Sequence, residues 1–138
     1  MQSSAALLAA LTGMTTACVS IDGGAIEVGW EIRGPEGSVP CDEAGIARVR
    51  LRIDRTGDDG ANSSDRLDGF RCGDGLRGSV TTDFDVAPGR YLLSIEALDA
   101  GGDTIGPDRG VCVPPPIERE VKDGEVTDLD VMLIVLEC

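Results

Sequence analysis

The chain has 138 residues, of which 41% are hydrophobic, enough for a single globular domain to bury one core. Its 25 acidic residues outnumber the 12 basic ones, giving a formal net charge of −13, and the basic residues are scattered singly. This charge would repel a phosphate backbone, so we expect no nucleic-acid partner. The sequence contains no histidine, which excludes Ser–His and Cys–His nucleophile pairs and most zinc chemistry. We therefore expect a protein that is not an enzyme and needs no cofactor.

The first segment of the chain carries no charge from residue 4 to residue 17, and residues 5–11 form an apolar block. A block of this length is typical of the core of a short signal peptide. The alternative is the start of a buried helix, but residues 19–24 bring polar and glycine residues, and strand-like alternation begins at Ala25. The pattern favours a removable leader over residues 1–17.

Residues 15–18, with the sequence Thr-Thr-Ala-Cys, resemble the lipobox of bacterial lipoproteins. In that family the cysteine sulfur receives a diacylglycerol, and the leader is cleaved immediately before the cysteine. The resemblance implies that Cys18 is lipidated and anchors the protein to a membrane. Residues 18–24 would then be a lipidated tether, followed by a domain over residues 25–138. Ala17 matches the family pattern, whereas Thr15 replaces the preferred leucine.

Two further features of the leader bear on export. The first four residues, MQSS, lack the lysine or arginine that normally orients a signal peptide, so either the free amino group suffices or the true start lies upstream of Met1. Val19 rather than aspartate would follow the lipidated cysteine, which by analogy with enterobacterial sorting indicates the outer membrane. We expect an exported protein in the bacterial cell envelope, at the periplasmic face or the cell surface.

Five cysteines are distributed along the chain, and no two have the Cys-x-x-Cys spacing of a zinc site or a thioredoxin-like redox centre. They indicate disulfides, which persist in oxidising compartments. Lipidation of Cys18 leaves an even set, Cys41, Cys72, Cys112 and Cys138. Four cysteines allow three connectivities, and we expect Cys41–Cys72 and Cys112–Cys138 because each bridge joins neighbours in chain order.

Two segments alternate apolar and polar residues with the period of a half-buried strand. The apolar face of residues 25–33 contains Ile26, Val28, Trp30 and Ile32. The apolar face of residues 46–54 contains Ala47, Val49, Leu51 and Ile53, and the other face carries Arg48, Arg50 and Arg52. The outer faces carry opposite charge, so if the two strands pair antiparallel, Glu27 and Glu31 lie opposite the arginines. The alternative is that the arginine row binds an anion.

The remaining strands are shorter. Residues 79–86 alternate, with Val80, Thr82, Phe84 and Val86 on one side, and the turn at residues 87–89 predicts a hairpin with residues 90–99. Weaker strands are predicted over residues 67–72 and 110–113, and another over residues 125–137. No segment after the leader shows a helical period over three turns. About seven strands predict an all-β fold, a single antiparallel, disulfide-bonded β-sandwich of immunoglobulin-like or transthyretin-like type.

Residues 85–102, DVAPGRYLLSIEALDAGG, are similar to the proline-glycine turn and tyrosine-led strand of carboxypeptidase-regulatory-like and transthyretin-like modules. This resemblance implies a structural role for Tyr91 at a corner of the sandwich. Trp30 and Phe84 are also expected in the core. The layout as a whole, with a leader cysteine, a tryptophan strand, paired cysteines and this hairpin, resembles small uncharacterised envelope lipoproteins of Gram-negative bacteria. That likeness implies a location and no activity.

Two candidate binding sites follow from the pattern. The acidic loop of residues 54–60 could form a calcium site on Asp54, Asp58 and Asp59, but Asp59 stands where an EF-hand-type loop needs glycine, and we favour a solvated hairpin loop. Residues 131–136 are apolar on both faces. The last strand is therefore either covered on both sides, which we favour, or offers Met132, Ile134 and Leu136 to a protein partner.

Together these features predict a membrane-anchored envelope lipoprotein that acts as a non-enzymatic binding or structural module. One alternative is an adhesion or carbohydrate-recognition module that uses the loops at one end of the sandwich. The other is a hydrolase with an unrecognised carboxylate pair. Two exposed carboxylates in a concave site would favour the hydrolase, whereas a flat apolar patch would favour an envelope protein partner.

Overall fold

A computed structural model describes residues 22–56 and 66–138 and folds them into ten strands in two packed five-stranded sheets. The strands are β1 Ala25–Gly34, β2 Gly37–Ser38, β3 Arg48–Arg55, β4 Arg66–Arg71, β5 Arg77–Thr81, β6 Gly89–Leu98, β7 Thr104–Ile105, β8 Val111–Cys112, β9 Ile117–Val121 and β10 Val126–Leu136. A short 3-10 turn spans Pro107–Arg109, and these two described ranges hold no helix that could cross a membrane. The predicted all-β sandwich is confirmed.

Sheet 1 is built around β1. Strand β10 pairs parallel with one edge of β1, β5 and β2 pair antiparallel with the other edge, and β8 extends the sheet beyond β10. Sheet 2 is antiparallel throughout, with β4, β3 and β6 in that order and with β7 and β9 sharing the far edge of β6. The parallel β1–β10 ladder departs from the purely antiparallel sandwich predicted from the sequence, because the last strand returns beside the first in the same direction.

The hydrophobic core lies between the two sheets and is filled from both. Sheet 1 contributes Ile26, Trp30 and Ile134, and sheet 2 contributes Leu51 and Leu93, all of them at most 1% exposed. These side chains sit at alternate strand positions, as the period of two requires. The indole N–H of Trp30 donates a hydrogen bond to the Cys72 carbonyl at 3.0 Å, so its polar edge is satisfied inside the core.

Strands β1 and β3 do not pair with each other, because they lie in different sheets, so the condition under which Glu27 and Glu31 would face the β3 arginines is not met. Each strand turns its apolar face into the shared core, so their outer faces point away from one another. Glu31 is consequently neutralised within its own sheet and not by the β3 arginines. The inward alternation of β3 is confirmed at its apolar positions within the strand, but Ala47 just before it is exposed and Ile46 is buried in its place.

The predicted hairpin between residues 79–86 and 90–99 is also wrong, because β5 belongs to sheet 1 and β6 to sheet 2. The linking segment crosses from one sheet to the other and leaves Phe84 39% exposed instead of in the core. Tyr91, the third residue of β6, is buried, and its hydroxyl donates a hydrogen bond to the Ala87 carbonyl at 2.5 Å. The structural role implied for Tyr91 is therefore confirmed.

Candidate functional site

The two predicted disulfides are confirmed, Cys41–Cys72 with a Cα–Cα distance of 6.0 Å and Cys112–Cys138 with one of 6.1 Å. The first bridge is buried and joins the segment after β2 to the residue that follows β4, so it links the two sheets. The second fixes the C-terminal residue to β8. Closing loops of 31 and 26 residues is worth about 3 to 4 kcal/mol for each bridge in the chain-entropy model. Both bridges indicate an oxidising, extracytoplasmic compartment.

Cys18, the predicted lipidation site, lies outside the described residues. The sandwich already holds the chain at Gly23 and Gly24, slightly before the domain start predicted at residue 25. The Gly23 carbonyl accepts a hydrogen bond from the amide of Gly124 at 3.0 Å, and the Gly24 amide donates one to Val86 at 2.9 Å. Cys18 precedes Gly23 by five positions in the sequence.

The predicted partner face on the last strand differs from the structure. Met132 and Ile134 are buried at 4% and 0% exposure, and Leu136 packs partly buried against the core. The exposed residues are those between them, Val131, Leu133 and Val135, at 47%, 44% and 41%. The preferred expectation, that both faces of this strand are covered, is also wrong. We call these three side chains the β10 stripe.

A β-bulge at Asp130 explains why this face of β10 is the exposed one. The register to β1 slips by one residue between Glu27 and Gly29, and Asp130 takes a left-handed φ of 58°. Leu129 is buried, so in a regular strand Val131 and Leu133 would also point inward. The additional residue reverses this phase, since a bulge inserts one position without a partner. The bulge thus produces the β10 stripe.

Glu31 lies beside the β10 stripe, because the register pairs it with Leu133 on one side and Arg77 on the other. Its side chain is only 6% exposed, although it stands on the outer face of the sheet. It accepts hydrogen bonds from the Ser38 hydroxyl and from Arg33 Nε at 3.1 Å, and Arg77 Nε lies at 3.4 Å. The Ser38 hydrogen bond is the main cause that holds the pKa of Glu31 below its ordinary value, the arginine charges also lower it, and burial opposes them.

An acidic cleft of about 330 Å³ adjoins the start of the β10 stripe. Glu27, Asp128 and Asp130 line it together with Arg77, and Gly29 forms its floor because it has no side chain. The amide of Asp130 donates a hydrogen bond to Asp128 Oδ1 at 2.8 Å. No three acidic or cysteine side chains in residues 22–56 and 66–138 are grouped in a way that could hold a metal ion. The cleft is thus a concave site with two exposed carboxylates, Asp128 and Asp130, which is the feature that would favour the hydrolase alternative. It also contributes negative charge to this face.

The calcium candidate can be followed only at Asp54, since Asp58 and Asp59 lie outside the described residues. Asp54 Oδ2 accepts a hydrogen bond from Arg52 Nε at 2.8 Å, so its charge already has a protein partner. The arginine row of β3 is also neutralised in part, because Arg50 forms an ion pair with Glu96 across the β3–β6 ladder. These contacts favour the interpretation of the outer face of sheet 2 as a surface of paired charges. They do not favour an anion-binding site.

Sequence reasoning missed the β10 stripe and the Glu31 cluster. The signal for the stripe was present, since residues 131–136 are apolar at every position. Nothing in the alternation, however, marks Asp130 as a bulge. Strands β2, β7 and β9 were not predicted either. The two residues of β2 and of β7 carry no measurable period, and β9, with the sequence IEREV, is apolar only at its two ends. Arg77 and Ser38 join Glu31 only through strand pairing between distant parts of the chain.

Comparison of the chain with protein-family models, with curated proteins and with solved structures finds no match.

Proposed function

We propose that the protein is an exported bacterial lipoprotein, anchored through a diacylglyceryl group on Cys18, that serves as a non-enzymatic binding module of the cell envelope. The two disulfides support export, since such bonds persist in oxidising compartments. An acylated cysteine with two or more chains gives stable membrane anchoring, whereas one chain binds marginally. The lipobox-like residues before Cys18 support this anchor.

The observation that carries the binding role is the β10 stripe. Val131, Leu133 and Val135 form one row of aliphatic side chains, each more than 40% exposed, on the outer face of a sheet. Single exposed apolar residues are ordinary, whereas exposed apolar residues that lie next to one another favour an interaction surface. Covering it would release roughly 25 cal/mol for each Å² removed from water. We therefore assign this face to an envelope protein partner.

The position of the tether determines how this surface stands relative to the membrane. Strand β1 begins at Ala25 beside Val126, and β1 and β10 run away from that end in parallel. Five residues from Cys18 span at most about 18 Å, and the ten residues of β1 extend about 33 Å. The Gly23 end of the sandwich thus faces the bilayer, and the β10 stripe lies along its side, accessible to a neighbouring envelope protein.

Metabolic labelling with a palmitate analogue tests the anchor. Wild-type protein is expected to take up label and to fractionate with membranes, and Cys18→Ser is expected to lose both. Equal labelling of the two proteins would refute the lipoprotein assignment.

Photo-crosslinking tests the binding face. A photo-crosslinking amino acid is placed at position 133 or, as a control, at position 92, where Leu92 is 39% exposed on sheet 2. Discrete protein adducts from position 133 alone are expected, and equal adducts from both positions would contradict the binding role.

A further inference from the structure

Strand β10 has an edge without a partner. Strand β1 occupies one edge of β10, whereas β8 pairs with the other edge only at Val135 and Leu136. Between Leu129 and Ile134, no strand in the described part of the chain pairs with this second edge. Unpaired strand edges present free N–H and C=O groups that can accept an additional strand.

The sequence after β8 explains why this edge stays open. Residues 114–116 are three prolines, which have no N–H to donate to a ladder, so β8 cannot continue along β10. The chain crosses instead to sheet 2, where it forms β9 against β6. The vacant line therefore begins where β8 ends and runs toward Asp128.

Two kinds of side chain flank the open edge. Val131 and Leu133 of the β10 stripe stand exposed on the outer face, and Met132 and Ile134 close the inner face. Toward the beginning of the strand, Asp128 and Asp130 are exposed, and Glu27 lies beside them in the acidic cleft, where three carboxylates outnumber the single cation Arg77. The edge is thus apolar along its middle and negatively charged at one end.

We propose that this edge binds an extended segment of a partner protein by strand addition, antiparallel to β10 and in line with β8. Antiparallel ladders are slightly more stable per residue than parallel ones, and β8 already pairs with β10 in that direction. In this orientation the segment has apolar residues opposite Val131 and Leu133 and basic residues at its C-terminal end, beside Asp128 and Asp130. Backbone hydrogen bonds supply affinity, and these alternate side chains supply specificity.

The charge of the chain selects this occupant over two others. A second copy would bring another net charge of −13 to the same edge, which opposes self-association. An anionic lipid surface would be repelled by the same acidic end. A basic, apolar strand from another protein meets both the stripe and the acidic end favourably.

This inference rests on the proposed binding role. Two synthetic peptides test it by their binding to the full-length protein. The first is an acetylated peptide of about nine residues, one strand in length, in which threonine and valine alternate before two C-terminal lysines. The second has the reversed sequence and thus the same composition. The first peptide is expected to bind about tenfold more tightly and to slow amide hydrogen exchange within residues 129–134. Leu133→Thr is expected to weaken binding about tenfold, and Leu92→Thr to leave it unchanged.

Three results would overturn the inference. The first is equal affinity for the two peptides without protection of residues 129–134. The second is a dimer in sedimentation analysis that Leu133→Thr dissolves, which would make a second copy the occupant. The third is protection of the edge by phosphatidylglycerol vesicles and not by the peptide. Palmitate labelling is independent of all three, so failure of strand addition is distinguishable from failure of the lipoprotein assignment.

Discussion

The two outer faces of the sandwich meet solvent in different ways. Sheet 2 carries a ladder of cross-strand and same-strand ion pairs, formed by Arg50 with Glu96, Arg52 with Asp54 and Arg90 with Glu118. Sheet 1 carries the β10 stripe and one buried carboxylate at Glu31. Among the described residues each sheet has an open strand edge, at β10 in sheet 1 and at β4 in sheet 2, and sheet 2 exposes the separate apolar side chains Leu67 and Leu92. Both sheets bury their inner faces in the same core, so the difference lies entirely in their outward residues.

This difference indicates which sheet is suited to bind another molecule. Covering the ladder of sheet 2 would desolvate charges that already have partners, and desolvation opposes burial of ion pairs. Covering the β10 stripe removes three aliphatic side chains from water and allows new backbone hydrogen bonds at the edge, while Arg33 and Arg77 of the Glu31 cluster lie on the β1 side of the stripe. Sheet 2 is therefore best understood as a soluble support, and sheet 1 as the side that the proposed function uses.

The largest predicted loss of stability is for alanine at a glycine of sheet 1, compared with alanine at a glycine of sheet 2. Gly78 lies opposite Trp30, and a Cβ at Gly78 would approach the indole to under 3.0 Å. Overpacking of this kind costs about 3 kcal/mol, because Trp30 is enclosed by the core and cannot withdraw. Gly69→Ala in β4 is the control, since its Cβ would meet only the flexible guanidinium of Arg48 at 3.3 Å. Urea denaturation of Gly78→Ala should show the loss, and equal midpoints for both variants would contradict this packing.

Sequence patterns predicted the features that depend on one strand at a time. Period-two alternation of apolar residues located β1 and β3, and the turn at residues 87–89 located β6. Strands β3 and β6 are more exposed on their other face, whereas β1 is buried at almost every position because it lies between β5 and β10. Chain order was sufficient for the disulfides, since both bridges join consecutive cysteines. Alternation does not show which sheet a strand joins, so it could not decide whether β1 pairs with β3, and the two strands lie in different sheets. Which strands become neighbours depends on where the chain crosses from one sheet to the other. Residues 82–88 make such a crossing between β5 and β6, and residues 113–116 make one between β8 and β9.

The exposed face of β10 could not be predicted for a different reason. Residues 131–136 are all apolar, so either the odd-numbered or the even-numbered side chains could face the core. The choice rests on the φ of 58° at Asp130, a conformation that aspartate tolerates better than most residues. Because aspartate is also common in loops and on exposed strand faces, its presence at position 130 does not reveal a bulge.

The next largest effect tests this bulge. Asp130→Val places a β-branched side chain at a left-handed φ, which should cost about 1 kcal/mol. Asp130→Gly should be neutral, because glycine adopts this conformation without a steric penalty. Ser94→Val, on the outer face of β6 in sheet 2, is the matched control and should not destabilise, since valine favours regular strands. Equal thermal midpoints for the valine and glycine variants at position 130 would show that the bulge does not constrain β10.

The smallest effect at neutral pH concerns two carboxylates, one associated with each sheet. The pKa of Glu31 in sheet 1 is lowered chiefly by the Ser38 hydrogen bond, and the pKa of Asp99, just after β6, is lowered chiefly by Arg109. A carboxyl group whose pKa is lower in the folded than in the unfolded state stabilises the fold when ionised. This stabilisation is fully present above the unfolded pKa of Glu, about 4.3, and disappears as the pH falls through the folded value.

Glu31→Gln should therefore weaken the dependence of the free energy of unfolding on pH as the pH falls below about 4.3, while Asp99 maintains part of it. Ser38→Ala should also weaken this pH dependence, but by less, because Arg33 and Arg77 remain beside the carboxylate. Asp99→Asn is the counterpart at sheet 2 and preserves an amide oxygen that can accept the Gly101 and Asp103 hydrogen bonds. Denaturant titrations at several pH values measure the three slopes. An unchanged slope in Glu31→Gln would mean that the Glu31 cluster is no tighter than an ordinary surface ion pair, and sheet 1 would then lose its one strongly held charge beside the β10 stripe.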